Sequence, residues 1–539
     1  MIVFLVLLAT AFAGWRAWRR LSYFLHVFQL EGYKINEYKA WIRARRGRLV
    51  FRTSHAIGLS LLAAALLFFW MGAGRWLAGL LLFLWAVAFA SSRIYRRERQ
   101  KKPIAYTPRL QRLLTTAAVL TVLPVSIGLG LWISLGAPIG VLFFLAGFWA
   151  ADFYAPRTVT LAARLMRPVE ARIQEGFKEE ARQSLGLRRD LKIVGITGSY
   201  GKTSTKFVVA ELLRQRHNVL ATPSSYNTPM GVCIVVNNQL QPEHQVLVLE
   251  MGMRYPGDIA ELCDLARPDI AVVTSVGVAH LETMGTIDAI AHEKAEIVRH
   301  MKRGGMAVLN ADDERVAAMA ELASGRVWRV SVEGNEADIT AHDIRYGPDG
   351  SSFVVRDDEG EEASFTTPLL GKHNVLNVLL GVAVGRAMGL SLRQLAHAAR
   401  RIEPVEHRLQ LKQEGPITVI DDAFNSNPVG ARNAVEILGQ FDTGRRIIVT
   451  PGMVELGERQ EEENQRFGAA MADHVDLAIL VGPRQTEPIR RGLQSRGFPD
   501  DQIQTVDSLF EARSFLKKFA RPGDVVLYEN DLPDQYDEA

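Results

Sequence analysis

Lys202 follows two closely spaced glycines, Gly198 and Gly201, and precedes two hydroxyl residues, Thr203 and Ser204; residues of these types in this order can cradle phosphate. Glycines let backbone N–H groups turn inward, the lysine adds a point charge, and a hydroxyl such as that of Thr203 suits Mg²⁺. Ser199 sits inside the loop between the glycines. The spacing departs by one residue from G-x-x-x-x-G-K-[ST], because Ile196 stands where the first glycine belongs, with Gly195 beside it. Two further residues could work on the same ligand. Glu250 ends the apolar run Gln245-Val-Leu-Val-Leu-Glu250, where a carboxylate can reach a magnesium held by Thr203 and the phosphates. His280 follows the next apolar run, Asp269-Ile-Ala-Val-Val-Thr274.

These residues need a scaffold that holds them at one edge. Leu191-Lys-Ile-Val194 is short, apolar and β-branched like a buried strand, and Lys206-Phe-Val-Val-Ala-Glu-Leu-Leu-Arg214 has helical periodicity, so strand, glycine loop and helix follow in the required order. From residue 191 strands and helices alternate, which predicts a doubly wound parallel sheet with ligands at its carboxyl edge. Between 327 and 368 short alternating runs and two glycine-bounded turns predict a small antiparallel insert. After Glu403-Pro404 a third region predicts a compact Rossmann-like α/β domain, which lacks G-x-G-x-x-G.

The first part of the chain differs in kind. Across 539 residues the net charge of +4 hides an apolar excess before about residue 155, interleaved with arginine clusters. Runs at 1–14, 55–71, 76–90, 113–134 and 138–154 predict a five-crossing transmembrane domain over 1–156. The intervening basic blocks place the whole chain after Arg157 in the cytoplasm, giving a multi-pass protein of the bacterial inner membrane in contact with membrane lipids. Because those blocks flank apolar runs, they are read as anchors and not as nucleic-acid patches. No buried charge pair is evident in the runs, which favours an anchor over a transporter. An amphipathic helix is expected over 157–190, a central ATP-binding domain over 191–403 and a C-terminal domain over 404–539. The two cysteines, Cys233 and Cys263, exclude a zinc ribbon or a disulfide framework.

Nine phrases occur in order: Gly195-Ile-Thr-Gly-Ser-Tyr-Gly-Lys-Thr-Ser-Thr-Lys206, Ser225-Tyr-Asn-Thr-Pro-Met-Gly231, Glu250-Met-Gly-Met253, Val278-Ala-His-Leu-Glu282, Lys294-Ala-Glu-Ile297, Gly371-Lys-His-Asn-Val-Leu-Asn377, Glu406-His-Arg408, Ile420-Asp-Asp-Ala-Phe-Asn-Ser-Asn-Pro428 and Gly452-Met-Val-Glu-Leu-Gly457. Over roughly 191–524 the chain thereby resembles the Mur ligases, most strongly the branch that adds D-alanyl-D-alanine to UDP-N-acetylmuramoyl-tripeptide. The resemblance implies that ATP phosphorylates a carboxylate, an amine attacks the acyl phosphate, and an amide, ADP and phosphate result. It implies Lys202 and Thr203 at the phosphates and first Mg²⁺, Glu250 and His280 on the metal side, and Lys294 as a carbamylated lysine holding a second Mg²⁺. It also implies Asn374 and Asn377 near the adenine, Arg408 at a phosphate and Asp422 at the ribose.

Three departures qualify the resemblance. The family's N-terminal module that grips the UDP end is replaced by the apolar part of the chain, Ala423 and Phe424 replace Ser-Tyr, and Tyr528-Glu-Asn-Asp stands where a Lys-Gly-Ser-Arg-like turn is usual. The expected partners are therefore a membrane-linked or UDP-linked peptide acceptor and an amino-acid or dipeptide amine. The rival readings are a poly-γ-glutamate-synthase-like or amidating ligase and a non-catalytic ATP switch.

Overall fold

The computed structural model describes residues 2–44, 103–135, 139–223, 226–347, 350–404, 407, 409–423, 426–441, 444–454 and 456–530, with isolated residues between 56 and 85. The chain divides into two compact units, residues 1–174 and 175–539.

The first unit is helical, with helices Ile2–Leu30, Ile35–Ala44 and Pro108–Leu135 and most of the 48-residue helix Ile139–Gly186. Leu21, Phe24, Leu25 and Phe28 pack with Tyr38, Leu110, Leu113, Ala155 and Val159 in its core. Among the described residues one helix, Pro108–Leu135, is long and apolar enough to cross a bilayer. That finding corrects the expectation of a multi-pass inner-membrane protein. The run expected to stop at residue 14 continues to Leu30 and spends its apolar face on packing, and Val141, Phe144 and Leu145 of the last run are likewise buried. The crossings expected at 55–71 and 76–90 lie outside the described residues. The helix expected to begin at 157 is continuous with the preceding run, with Pro156 and Pro168 inside it.

A buried ion cluster, not legible in the sequence, joins the first and last of these helices. Asp152 accepts from Arg16 Nε at 3.1 Å and lies 3.7 Å from Arg20 Nε, with all three side chains almost fully enclosed. Asp152 is hidden in the sequence because it is a single acid in an apolar stretch whose partners lie more than 130 residues away.

The second unit holds two sheets. Strands β1 (Lys192–Thr197), β2 (Val219–Ala221), β3 (Val246–Glu250), β4 (Ile270–Val273), β5 (Met306–Asn310), β6 (Arg326–Ser331), β7 (Ile339–Gly347), β8 (Gly350–Arg356) and β9 (Glu362–Thr367) form one sheet in the order β2-β3-β1-β4-β5-β6-β7-β8-β9. Pairing is parallel through β7 and antiparallel from β7 to β9. The antiparallel insert is thus an extension of the main sheet: β7 joins β6 through Val330↔Ile339 and Ser331↔Thr340. Strands β1, β3 and β4 are buried on both faces, which is why they read as continuous apolar runs. One face packs Val208, Val209, Leu212 and Leu213 with helix Lys372–Ala387; the other packs Val232, Ile259, Ile297 and Ala181.

The second sheet comprises β10 (Gln410–Glu414), β11 (Ile417–Asp422), β12 (Arg446–Thr450), β13 (Leu477–Val481), β14 (Ile503–Val506) and β15 (Val525–Glu529) in the order β10-β11-β15-β12-β13-β14. All neighbours are parallel except the β10–β11 hairpin. Its register sets Asp422 beside Glu529 at the carboxyl ends of two central strands.

Candidate active site

The glycine loop lies between β1 and the helix Lys202–Leu213, as a phosphate cradle requires. Gly201 caps that helix with φ of 80°, and a Cβ there would meet Asn377 Oδ1 at 2.8 Å; a Cβ on Gly198 would lie 1.9 Å from Thr274 Oγ1. The loop is clamped to the end of β4. Ser199 N donates to Ser275 O at 2.8 Å, Tyr200 N donates to Ser275 Oγ at 3.0 Å, and Gly277 N donates to Ser199 Oγ at 2.8 Å. Lys202 Nζ folds back over the loop and donates to Gly198 O at 2.7 Å. Thr203 and Ser204 open the helix. The positive end of its dipole therefore points at the space the loop encloses.

Glu250, at the end of β3, has a partner on each oxygen. Lys206 Nζ lies 3.3 Å from Oε2 and Asn227 Nδ2 donates to Oε1 at 3.0 Å. Both partners stand within the ordered phrases, yet nothing in the sequence assigns either a role. Each carboxylate oxygen keeps a lone pair, so Glu250 is oriented by this pairing without being used up.

His280 adopts a left-handed backbone, with φ of 67°. Its ring keeps solvent access, yet burial of part of the ring and the cations Lys202, Lys294 and Arg254 push it down to about 4. The imidazole is therefore neutral at physiological pH and has a lone pair to offer. Lys294, on helix Ile287–Arg299, is wholly buried; burial first, and the charge on Lys202 second, hold it well below the ordinary lysine range. Among the described residues no carboxylate pairs with it, and the adjacent Glu293 instead accepts from Gly257 N and Ile259 N. Among the described residues no three His, Cys, Asp or Glu side chains form a metal-binding group. Glu250, His280 and Thr203 each carry an oxygen or nitrogen donor of a kind that Mg²⁺ accepts.

Asn374 and Asn377 tie the helix Lys372–Ala387 to the loop helix: Thr205 Oγ1 donates to Asn377 Oδ1 at 2.9 Å, and Asn377 Nδ2 donates to Asn374 Oδ1 at 3.0 Å. Both line a cavity of about 580 Å³ together with Tyr200, Gly201, Ser204, Asp422 and Glu529. Glycine loop and C-terminal sheet edge thus face one space. Asp422 Oδ1 accepts from Leu409 N at 3.1 Å. Glu529, almost fully enclosed, accepts from Ser426 Oγ at 2.5 Å, and burial together with the neighbouring Asp422 carboxylate raises it well above the ordinary carboxylate range. Arg408 lies outside the described residues. Sequence reasoning passes over Glu529, although the phrase Tyr528-Glu-Asn530 marks the place; nothing in the sequence points to Tyr200, whose burial pushes its phenol up to about 12.

Residues 196–385 match the Mur ligase middle domain and residues 407–528 the Mur ligase, glutamate ligase domain. The chain is 36% identical over 357 residues to the UDP-N-acetylmuramoyl-tripeptide–D-alanyl-D-alanine ligase of Mycobacterium tuberculosis (strain ATCC 25618 / H37Rv), covering 62% of this chain and 70% of that one.

This chain belongs to the Mur ligase family.

It is accordingly an ATP-dependent, ADP-forming carbon–nitrogen ligase of the kind that builds peptidoglycan precursors. The ligase of the same name from Bacillus subtilis (strain 168) is 28% identical over 351 residues, covering 64% of this chain and 74% of that one. Among solved structures, the MurF ligase of Thermotoga maritima in complex with ADP superposes with a TM-score of 0.60 at 26% identity, covering 67% of this chain and 81% of that one. MurF from Acinetobacter baumannii gives 0.60 and 26%, covering 66% and 77%. Residues 1–195 of this Mur ligase lie outside both family matches.

Proposed function

We propose that this Mur ligase joins the amine of a dipeptide such as D-alanyl-D-alanine to the terminal carboxylate of a muramoyl peptide through an acyl phosphate. The reading rests on one observation: the glycine loop and its helix, through Tyr200, Gly201 and Ser204, and the C-terminal edge, through Asp422 and Glu529, line the same cavity. A carboxylate is a poor electrophile until one oxygen becomes a phosphate leaving group. Its oxygen attacks the γ-phosphorus as ADP leaves; the neutral amine then attacks the acyl carbon, phosphate departs, and the amine's proton passes to solvent. The protein's task is to hold anions together and exclude water. Lys202 and the loop N–H groups hold the nucleotide phosphates, and Asn374, Asn377 and Asp422 orient the nucleoside, with Arg408 at a phosphate. Thr203, Glu250 and His280 suit Mg²⁺, which would offset the phosphate charge.

Lys294 supplies the remaining ligand. A buried neutral amine attacks the carbon of CO₂, loses a proton and becomes a carbamate, which puts an anion suited to a second Mg²⁺ where a neutral amine stood. Incubation with ¹³C-bicarbonate is expected to give one carbamate carbonyl resonance that is missing from Lys294→Ala; its persistence in the variant would refute the assignment. For the reaction itself, ADP release from UDP-muramoyl-tripeptide plus D-alanyl-D-alanine is expected for the wild type and at least about a hundredfold less for Lys202→Ala. Equal release from both would sink the reading.

A further inference from the structure

The C-terminal wall of the cavity carries a charge cluster that the ligase chemistry leaves without a role. Glu463, on helix Gln460–Met471, is nearly enclosed and gathers three arginines: Arg459 Nη2 at 2.6 Å, Arg466 Nη1 at 3.6 Å and Arg432 Nη1 at 3.7 Å. Arg432 comes from a different element, helix Pro428–Leu438. The three guanidinium side chains remain 40, 41 and 56% exposed for Arg432, Arg459 and Arg466, and all four residues line the cavity that the glycine loop opens into. One carboxylate cannot neutralise three cations. Glu462 takes one further bond from Arg466 at 2.6 Å on the rim but does not line the cavity.

The four other acids that line the cavity are engaged elsewhere, Asp422 by Leu409 N. Asp312 accepts from Ser331 Oγ and Val332 N, Asp313 accepts from Val276 N and the N–H groups of Arg315 and Val316, and Glu529 holds Ser426. The cluster shares this cavity with the loop, whose Tyr200 and Gly201 line it as well. A buried acid that presents guanidinium groups toward a phosphate loop organises them for an oxyanion, because each arginine keeps donors in a planar fork after the acid has taken its share.

We propose that Arg432, Arg459 and Arg466, positioned by Glu463, form an oxyanion-binding wall opposite the glycine loop. It takes either a nucleotide phosphate or the free carboxylate of the incoming amine, and it rests on the ligase reading, which it deepens. Glu463 is a positioning residue: it touches the arginines and not the substrate.

Calorimetry on the full chain separates the sources without needing turnover. The titrants are a non-hydrolysable ATP analogue with Mg²⁺, D-alanyl-D-alanine, and the same dipeptide as its C-terminal carboxamide. If the wall takes the carboxylate, Arg459→Gln/Arg466→Gln weakens the dipeptide about tenfold or more and leaves the carboxamide unchanged, as expected for a lost charge-assisted hydrogen bond. If it takes a phosphate, the ATP analogue weakens by that factor and both dipeptides are unaffected. Glu463→Gln, close in shape, is expected to produce the same pattern at smaller amplitude, and Arg466→Lys to recover part of the loss. Thermal melting within a degree or two of wild type confirms that the exposed substitutions leave the fold intact. Wild-type affinities retained by the double variant for all three titrants would overturn the proposal. A wild type that binds the analogue but turns over no muramoyl peptide would instead fault the substrate reading.

Discussion

Glu529 shows how one residue links fold to chemistry. Its carboxyl stands against Asp422 in the lining of the cavity, and both burial and that neighbour favour the protonated form. The sign follows from linkage. The unfolded chain releases this proton near the ordinary value of 4.5, whereas the folded chain retains it to higher pH. Its contribution to stability is therefore complete below 4.5 and is lost as pH rises toward the folded value. Glu529→Gln, locked neutral, is expected to be increasingly more stable than wild type as pH climbs above about 5, by urea unfolding at matched pH. A difference that does not change with pH would show that Glu529 ionises normally. His280 has the opposite character: with its imidazolium suppressed to about 4, nucleotide affinity is expected to show no His280-dependent inflection between about pH 6 and 8, and an inflection there that disappears in His280→Gln would refute this.

At the scale of elements, the strand-loop-helix at residues 192–213 was legible in the sequence because three local signals agree there: a β-branched run, two glycines and a helical period. The parallel strands β3, β4, β11, β12, β13 and β15 were legible for the same reason, being short apolar runs bounded by polar residues. What escaped were contacts made between elements. Nothing in the sequence shows that the helix turns Lys206 onto Glu250, and Glu463 is one acid in a run of three. Two predictions belong here. Gly198→Ala forces a Cβ onto Thr274 Oγ1, so the loop must shift, and a displacement of about 1 Å is enough for a hundredfold loss of nucleotide-dependent turnover. Circular dichroism should meanwhile remain native, and unimpaired turnover would show that the loop tolerates a side chain. Lys206→Met strands a buried carboxylate and should lower the unfolding free energy by about 3–5 kcal/mol, with a loss below about 1 kcal/mol marking Glu250 as solvated.

The whole molecule combines a unit that the family matches cover with one that they do not. The sequence drew that contrast correctly in composition, but it turned the run 138–154 into a crossing where the structure packs Val141, Phe144 and Leu145 into a core and buries Asp152 against Arg16. Every residue that lines the ligase cavity lies between 200 and 529. The long helix that enters this unit keeps its own anchors beyond residue 174: Ala181 is enclosed in the core, Lys178 Nζ meets Glu261 Oε1 at 2.5 Å, and Glu180 accepts from Asn237 at 3.1 Å. A chain beginning at Glu175 therefore retains both sheets, both faces of packing and the entire lining of the cavity. It is expected to fold alone and to bind ADP with the affinity of the full chain. Saturation at about a hundred times Kd should stabilise either chain by about 2.7 kcal/mol, read as equal upward shifts in melting temperature. A shift confined to the full chain would mean that residues 1–174 complete the nucleotide site, and the ligase unit would then have to be redrawn to include them.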